Sequence, residues 1–164
     1  MPQVGDVCIR VCAETDWKLW RGVRLAALEE APYAYGSTLA QWQDASEERW
    51  RARMRDVPFN ALAEVDGVPA GIACGMPEDD GSVSLVSMWV APFARGRSIG
   101  DRLVGSVLDW ARERDATAVR LDVVSTNAAA IALYRRNGFI DNGASHHCEI
   151  DGVPQIEMLY TFAR

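Results

Sequence analysis

The sequence predicts an α/β fold (α+β by some schemes): a mixed central sheet of about seven strands, helices on both faces, one domain over residues 1–164. Three observations predict it. Short apolar or alternating runs recur at 7–11, 59–65, 68–76, 83–90, 119–124, 144–150 and 153–162, as strands do. Longer segments with apolar residues at helical spacing separate them. The resulting order, β-α-α-β-β-β-α-β-α-β-β, mixes hairpins with helical crossovers and so demands both antiparallel and parallel pairing.

The elements follow in order. Val7, Ile9 and Val11 alternate as a first strand. Thr15 or Asp16 caps a helix through Glu30, with Leu19, Trp20, Val23, Ala27 and Leu28 on its buried face, and Pro32 ends it. The loop over 33–38 carries two tyrosines and two hydroxyls. A second helix, 46–55, follows an Asp44–Glu47 capping pattern and carries Trp50 and Met54 for the core. Phe59–Val65 and 68–76 flank Asp66-Gly67, a dipeptide suited to a type I′ hairpin turn. A polar turn at 77–81 leads into Val83–Val90, apolar on both pleat faces except for Ser84 and Ser87, as a strand buried on both sides would be.

Beyond Pro92, which ends the ladder, lies a basic, glycine-punctuated loop, Arg95-Gly96-Arg97-Ser98-Ile99-Gly100. Leu103, Val104, Val107, Leu108 and Ala111 then repeat at helical spacing, with Asp101 in the first turn and Arg112 and Arg114 in the last. A strand of residues 119–124 and a helix of 127–137 come next, with Gly138 at the C′ position. Strands at 144–150 and 153–162 flank Asp151-Gly152, and Ile156, Met158, Tyr160 and Phe162 share one face.

Composition narrows the function classes. With 49% hydrophobic and 24% charged residues the chain reads as a soluble globular protein. A net charge of −6 argues against a general nucleic-acid binder, though not against an anionic ligand held by local arginines. No apolar run approaches the length of a membrane span, and no charged-then-apolar leader opens the chain, so neither membrane insertion nor secretion is expected. Cys8, Cys12, Cys74 and Cys148 form no C-x-x-C pair and are read as reduced packing residues of a cytoplasmic protein. No metal-ligand spacing appears; the pair His146-His147 lacks suitably placed partners.

The chemistry concentrates in the loop at 95–100. A strand, a small-residue loop and a helix N-terminus make an anion site, because first-turn N–H groups lack intrahelical partners. Arg95 and Arg97 add charge. The same residues fit G-x-S-x-G, and acids followed by His146 and His147 stand in the chain order of a serine hydrolase. That elbow, however, needs its serine directly after the strand, and residues 91–97 intervene before Ser98.

A second motif decides between them. Residues 125–139 read Ser-Thr-Asn-Ala-Ala-Ala-Ile-Ala-Leu-Tyr-Arg-Arg-Asn-Gly-Phe. Together the two stretches resemble the GNAT superfamily of acyl-CoA-dependent N-acyltransferases. Arg95, Ser98 and Gly100 stand at the family's Arg/Gln-x-x-Gly-x-Gly/Ala positions, with Ser98 replacing the middle glycine. Asn127, Ala130, Leu133, Tyr134, Gly138 and Phe139 match its Asn-x-x-Ala-x-x-Leu-Tyr-x-x-x-Gly-Phe signature in full. If position 98 has positive φ, serine carries modest strain there; if not, its hydroxyl adds a donor.

The resemblance implies an acetyl-CoA-dependent N-acetyltransferase acting by direct attack of a primary amine, with two splayed parallel strands holding the pantetheine arm. Met88, Trp89 and Val90 would pair with that arm through their backbone. The pyrophosphate would rest on Arg95, Gly96, Arg97, Ser98, Ile99, Gly100 and Asp101. Asn127 would bond the arm or serve as a plain N-cap. Tyr134, two turns further along the same helix face, would be the acid meeting the sulfur. The strand 83–90 lacks the carboxylate many relatives use as base. Glu64, Asp122, His146, His147 and Glu149 remain, as does water; His146 is favoured for an imidazole's neutral titration. Tyr33 and Ser37 are acceptor-site candidates, because in the family this loop overlies the acceptor.

The acidic chain and aromatic loop favour a cationic, small-molecule amine; a protein N-terminus or lysine is the alternative. A non-catalytic acyl-CoA sensor would keep the phosphate loop without needing Tyr134. Relatives are often dimers, which makes a homodimer one expectation.

Overall fold

The strands formed among the described residues all join one seven-stranded sheet of order β1-β2-β3-β4-β5-β7-β6. The structure, a computed structural model, describes residues 5–32, 37–145 and 152–163. The strands are β1 (Val7–Val11), β2 (Phe59–Val65), β3 (Val68–Pro77), β4 (Val83–Val90), β5 (Ala118–Val124), β6 (Ile140–Ala144) and β7 (Gln155–Thr161). The helices are α1 (Trp17–Glu30), α2 (Leu39–Trp42), α3 (Glu47–Asp56), α4 (Ile99–Glu113) and α5 (Ala128–Arg136). Every strand pair is antiparallel except β4–β5, the parallel pair that α4 crosses over.

Strand parity sorts the core into two layers. On one face Ala61, Ala63, Val83, Leu85, Val119, Leu121 and Val123 pack under α4 and α5. On the other, Leu62, Ile72, Cys74 and Trp89 pack under α1 and α3. All five residues of the expected α4 stripe are buried, joined by Ile99. Burying each such aliphatic side chain is worth roughly 1.5–3 kcal/mol, so this helix is fixed firmly against the sheet. Asp66 and Gly67 take φ of +51° and +80°, as a type I′ turn requires.

Several sequence expectations change. Asp16 is the residue before α1, yet its carboxylate accepts from the Ala13 N–H at 2.9 Å and closes a 3-10 turn instead of capping the helix. Ser46, not Asp44, caps α3, its hydroxyl accepting from Arg49 N–H. The short helix α2 was not foreseen; Thr38 and Gln41 bond each other's backbone N–H across its first turn. Among the described residues the strand before β7 is β6, at Ile140–Ala144, where no strand was expected; of the expected 144–150 strand only residues 144 and 145 are described. The five residues of β6 are all exposed, so Ile140-Asp141-Asn142-Gly143-Ala144 carries no buried alternation to read. Residues 146–150 and Asp151 of the expected turn lie outside the described residues. Cys8 is exposed and so is no packing residue, whereas Cys12 and Cys74 are buried free thiols. Burial pushes the Cys12 thiol up from 9.0 to about 11.

Candidate active site

The parallel strands at the centre of the sheet part company. β4 and β5 pair only at Val83 with Val119 and Ser84 with Arg120. Beyond them, the edge of β4 that faces β5 has no sheet partner among the described residues as far as Val90. The cause lies on the other edge. Ile72 pairs with Trp89 but Cys74 with Val86, so Ser87 and Met88 together face Ala73. Ser87 takes φ +57°. Such a bulge bends its strand and sharpens its twist, which swings the end of β4 away from β5. A cleft of about 1380 Å³ opens in the gap.

One end of the cleft is the loop before α4. A 3-10 turn, Pro92–Ala94, carries the chain off β4. Gly96 and Ser98 then both take positive φ, +80° and +60°. Ser98 occupies the N-cap in left-handed conformation and its hydroxyl makes no capping bond. The strain foreseen for serine is therefore present, about 1–2 kcal/mol relative to glycine. The first-turn amides of α4 lack intrahelical acceptors and carry the positive end of the helix dipole. Gly100 is required by closeness: a Cβ there would meet Leu133 Cδ2 at 3.1 Å and Met88 Cε at 3.5 Å. Gly96, Ser98, Ile99, Gly100 and Asp101 all line the cleft, as do Met88, Trp89 and Val90; Arg97 is exposed and does not.

Arg95 lines the cleft but is already engaged. Its Nε donates to the Val90 carbonyl at 3.1 Å, and one terminal nitrogen donates to both Glu30 oxygens at 2.9 and 3.0 Å. Glu30 also accepts from the Trp89 indole at 2.9 Å. The arginine thus ties the loop to α1 and to the end of β4.

The opposite wall comes from α5. Asn127 caps it, its side-chain oxygen accepting from Ala130 N–H at 3.2 Å, and it also lines the cleft. Tyr134 is buried between α5 and the sheet, edge-on to Phe139. Its hydroxyl has no hydrogen-bond partner among the described residues. Burial alone raises the phenol well above its usual range, so it stays protonated at any physiological pH. The Asp101 carboxylate is taken up by Arg136 and Asn137, which leaves its backbone amide for a ligand.

The cleft passes between the sheet's two faces. Leu121, Val123 and Tyr134 belong to the α4–α5 side. By parity Ser84 and Asp122 point to the other side, where Arg24, Ser37, Glu78, Gln155 and Glu157 also line the cavity. Of the candidate bases, Asp122 is here, accepting from the Ser145 hydroxyl at 2.6 Å. Glu64 is not: it pairs with Arg10 at 3.2 Å across β1 and β2. Tyr33, His146, His147 and Glu149 lie outside the described residues.

Sequence reasoning missed Arg24, Glu78 and Glu157, which line the cleft. Arg24 did leave a signal, since it falls on the stripe of Trp20, Ala27 and Leu28, an arginine at a core position. Among the described residues no group of three or more His, Cys, Asp or Glu could hold a metal ion, and no helix is long and apolar enough to cross a membrane.

A family model described as the acetyltransferase (GNAT) family matches residues 23–139. An IAA acetyltransferase of Azospirillum brasilense is 37% identical over 75 residues, which cover 44% of this chain and 49% of that protein. N-acetylaspartate synthetase of Mus musculus is 37% identical over 93 residues, covering 56% of this chain and 31% of that one. The chain therefore matches 49% and 31% of these relatives' own length. Among solved structures, yncA of Salmonella typhimurium, determined with its cofactor acetyl-CoA, superposes with a TM-score of 0.78 at 18% identity, over 97% of this chain and 95% of that one. At that identity the likeness speaks for the fold.

Proposed function

This chain belongs to the acetyltransferase (GNAT) family, and on that premise we propose that it transfers an acetyl group from acetyl-CoA to the primary amine of a small molecule. The observation that carries the reading is the cleft between β4 and β5. It joins the N-terminus of α4, which has no side-chain cap, at one end to the phenol of Tyr134, unpartnered among the described residues, within.

The diphosphate of the co-substrate rests on the amides that follow Ser98, where backbone N–H groups and the helix dipole attract it. Arg95 braces that loop through Glu30 and Val90. The pantetheine arm lies along β4 as an added strand, using the main-chain groups β5 does not reach. Asn127 flanks it. The thioester then sits in the gap, reached by the amine from the face of α1 and α3.

Attack forms the C–N bond and breaks the C–S bond, the electron pair leaving on sulfur. A phenol raised far above a thiol's pKa of about 8.5 cannot surrender its proton outright. Tyr134 therefore acts as a hydrogen-bond donor that stabilises the departing thiolate, worth roughly 10²-fold in rate. The amine must arrive neutral, so its ammonium proton leaves to solvent through the cleft carboxylates Asp122 and Glu78 before attack. The proton that nitrogen loses as the C–N bond forms passes to one of these carboxylates and is relayed through cleft water to the departing sulfur, so that one proton is returned for each thiolate.

The test mixes the protein with acetyl-CoA and amines of several classes, small molecules and peptides with free N-termini or lysines included, and follows thiol release. Release with small amines is expected. Release with peptides alone would assign a protein acetyltransferase, and tight binding of acetyl-CoA without release for any amine would make the chain a sensor. Ester cleavage without coenzyme would point to Ser98 as a hydrolase nucleophile.

A further inference from the structure

We infer that Arg53, which stands behind β4 and does not line the cleft, is a positioning residue: it holds the bulge at Ser87 and so keeps the gap between β4 and β5 open for the pantetheine arm. The inference rests on the acetyltransferase reading and adds to it a residue that acts through the strand.

The bulge needs a cause of its own. Ser87 takes φ +57°, a left-handed conformation that favours glycine. It also breaks the alternation of its strand. Leu85, Met88 and Val90 pack on the α4–α5 side of the sheet, Val86 and Trp89 on the α1–α3 side. In a regular strand Ser87 would fall with Leu85, yet its hydroxyl is reached from α3, where Arg53 donates to Ser87 Oγ at 3.4 Å. The same guanidinium spans the neighbouring strands, donating to Asn60 Oδ1 of β2 at 3.2 Å and to Cys74 Sγ of β3 at 3.5 Å. Asn60 is buried and donates to the Val57 carbonyl, at the end of α3, at 2.7 Å. Cys74, kept a thiol by burial, donates to the same Asn60 oxygen at 3.3 Å. The Trp20 ring centre, 5.5 Å from the guanidinium carbon, closes the corner. One cation thus ties α3 to three consecutive strands at the level of the bulge.

This corner sets the phase of the rest of β4. A slip of one residue turns every following side chain to the other face of a sheet. Without the extra residue Met88 would face α1 and α3, and Trp89 the α4–α5 side. The Trp89 indole would then lose Glu30, which it meets at 2.9 Å and which also holds Arg95. A regular β4 would continue pairing with β5 beyond Ser84 and occupy the main-chain groups that the arm needs. A hydroxyl left without a partner in the core is costly, and Arg53 supplies that partner only when Ser87 is turned toward α3.

The test measures the affinities of the folded protein for acetyl-CoA and for ADP by calorimetry, with thiol release followed alongside. ADP offers its diphosphate to the α4 amides but has no pantetheine arm. Arg53→Met is expected to weaken acetyl-CoA by about tenfold, the scale of one unmade hydrogen bond, and to leave ADP nearly unchanged. The loss should appear in KM for acetyl-CoA more than in kcat. Arg53→Lys, which keeps the charge but not the fork, should fall between. Adding Ser87→Gly to Arg53→Met should restore most of the affinity, because glycine holds a positive φ unaided and buries no hydroxyl. Wild-type affinity for acetyl-CoA in Arg53→Met, an equal loss of both ligands, or no recovery with Ser87→Gly would overturn the inference and leave the acetyltransferase reading standing. Should Arg53→Met fail to fold, Ser87 decides alone: Ser87→Ala should hold acetyl-CoA a few-fold more weakly than Ser87→Gly, and equal affinities would overturn the inference. A wild-type protein that binds no acetyl-CoA would remove both.

Discussion

Asp101, in the first turn of α4, holds the guanidinium of Arg136, at the end of α5, through two hydrogen bonds of 2.9 and 3.1 Å. Asn137 adds a third at 2.9 Å while also bonding the Leu133 carbonyl. These groups stand 35 and 36 residues apart in the chain. They join the two sequence motifs into one rigid piece and fix the distance from the α4 amides to Tyr134. The bond from Arg136 is the main cause that holds the Asp101 carboxyl below its usual range.

Breaking this link should uncouple chemistry from binding. An exposed ion pair contributes at most about 1 kcal/mol, so Asp101→Asn should lower the melting temperature by only about 2–4 °C. Turnover should fall further than acetyl-CoA affinity does, which steady-state kinetics and calorimetry together would reveal. A depressed carboxyl stabilises the fold above its unfolded pKa, and this contribution is lost as pH falls through the carboxylate range. Thermal melts between about pH 5 and 2 should accordingly show a shallower slope for Asp101→Asn than for the wild type, with no difference in slope above about pH 5.

Tyr134→Phe removes a donor and leaves the packing. Turnover should drop roughly 10²-fold with acetyl-CoA binding nearly unchanged. Burial raises this phenol above its unfolded value, so its contribution to stability is complete below about pH 10 and is lost only as pH climbs beyond that. The wild-type rate should therefore show no alkaline fall between pH 8 and 10 traceable to Tyr134. Equal turnover in the phenylalanine variant would take the residue out of the mechanism.

Ser98→Gly relieves the left-handed serine. The gain of about 1–2 kcal/mol is partly offset by the freer unfolded glycine chain, leaving a net stabilisation of about 0.5 kcal/mol. Denaturant melts should detect it, and acetyl transfer should change little. Loss of all activity would instead return the serine to the chemistry.

Glu30→Gln should loosen the loop, because one carboxylate gathers both Arg95 and the Trp89 indole. A weaker grip on acetyl-CoA, by a few-fold, is expected in titration. Arg95→Lys should fall at least as far, since an ammonium lacks the fork that spans Glu30 and the Val90 carbonyl. Tighter binding in Glu30→Gln would mean that Arg95 swings to the phosphates instead of bracing the loop.

Much of this protein is written in short-range pattern. The α4 stripe, the Asp66-Gly67 turn, the doubly buried β4 and the Asn127 cap each depend on residues within a few positions, where periodicity and φ preference act directly. The two motifs at 95–101 and 127–139 were legible for the same reason. β6 was not read from the sequence because it is an exposed edge strand, its Ile140 included, with no buried face to impose alternation. Ser46 replaced Asp44 as the cap because the packing of Trp50 and Met54, not the capping pattern alone, sets where α3 begins.

By itself, then, the sequence determined most of the elements and their order, and the two motifs that mark the family. Only the tertiary structure decided that β4 bends away from β5, that Arg95 is committed to Glu30, and that Arg53 of α3 reaches Ser87 of β4. Backbone preference is settled among near neighbours, whereas strand divergence and the Arg95–Glu30 and Arg53–Ser87 contacts join residues tens of positions apart. Such contacts exist only once the two core layers have closed on the sheet.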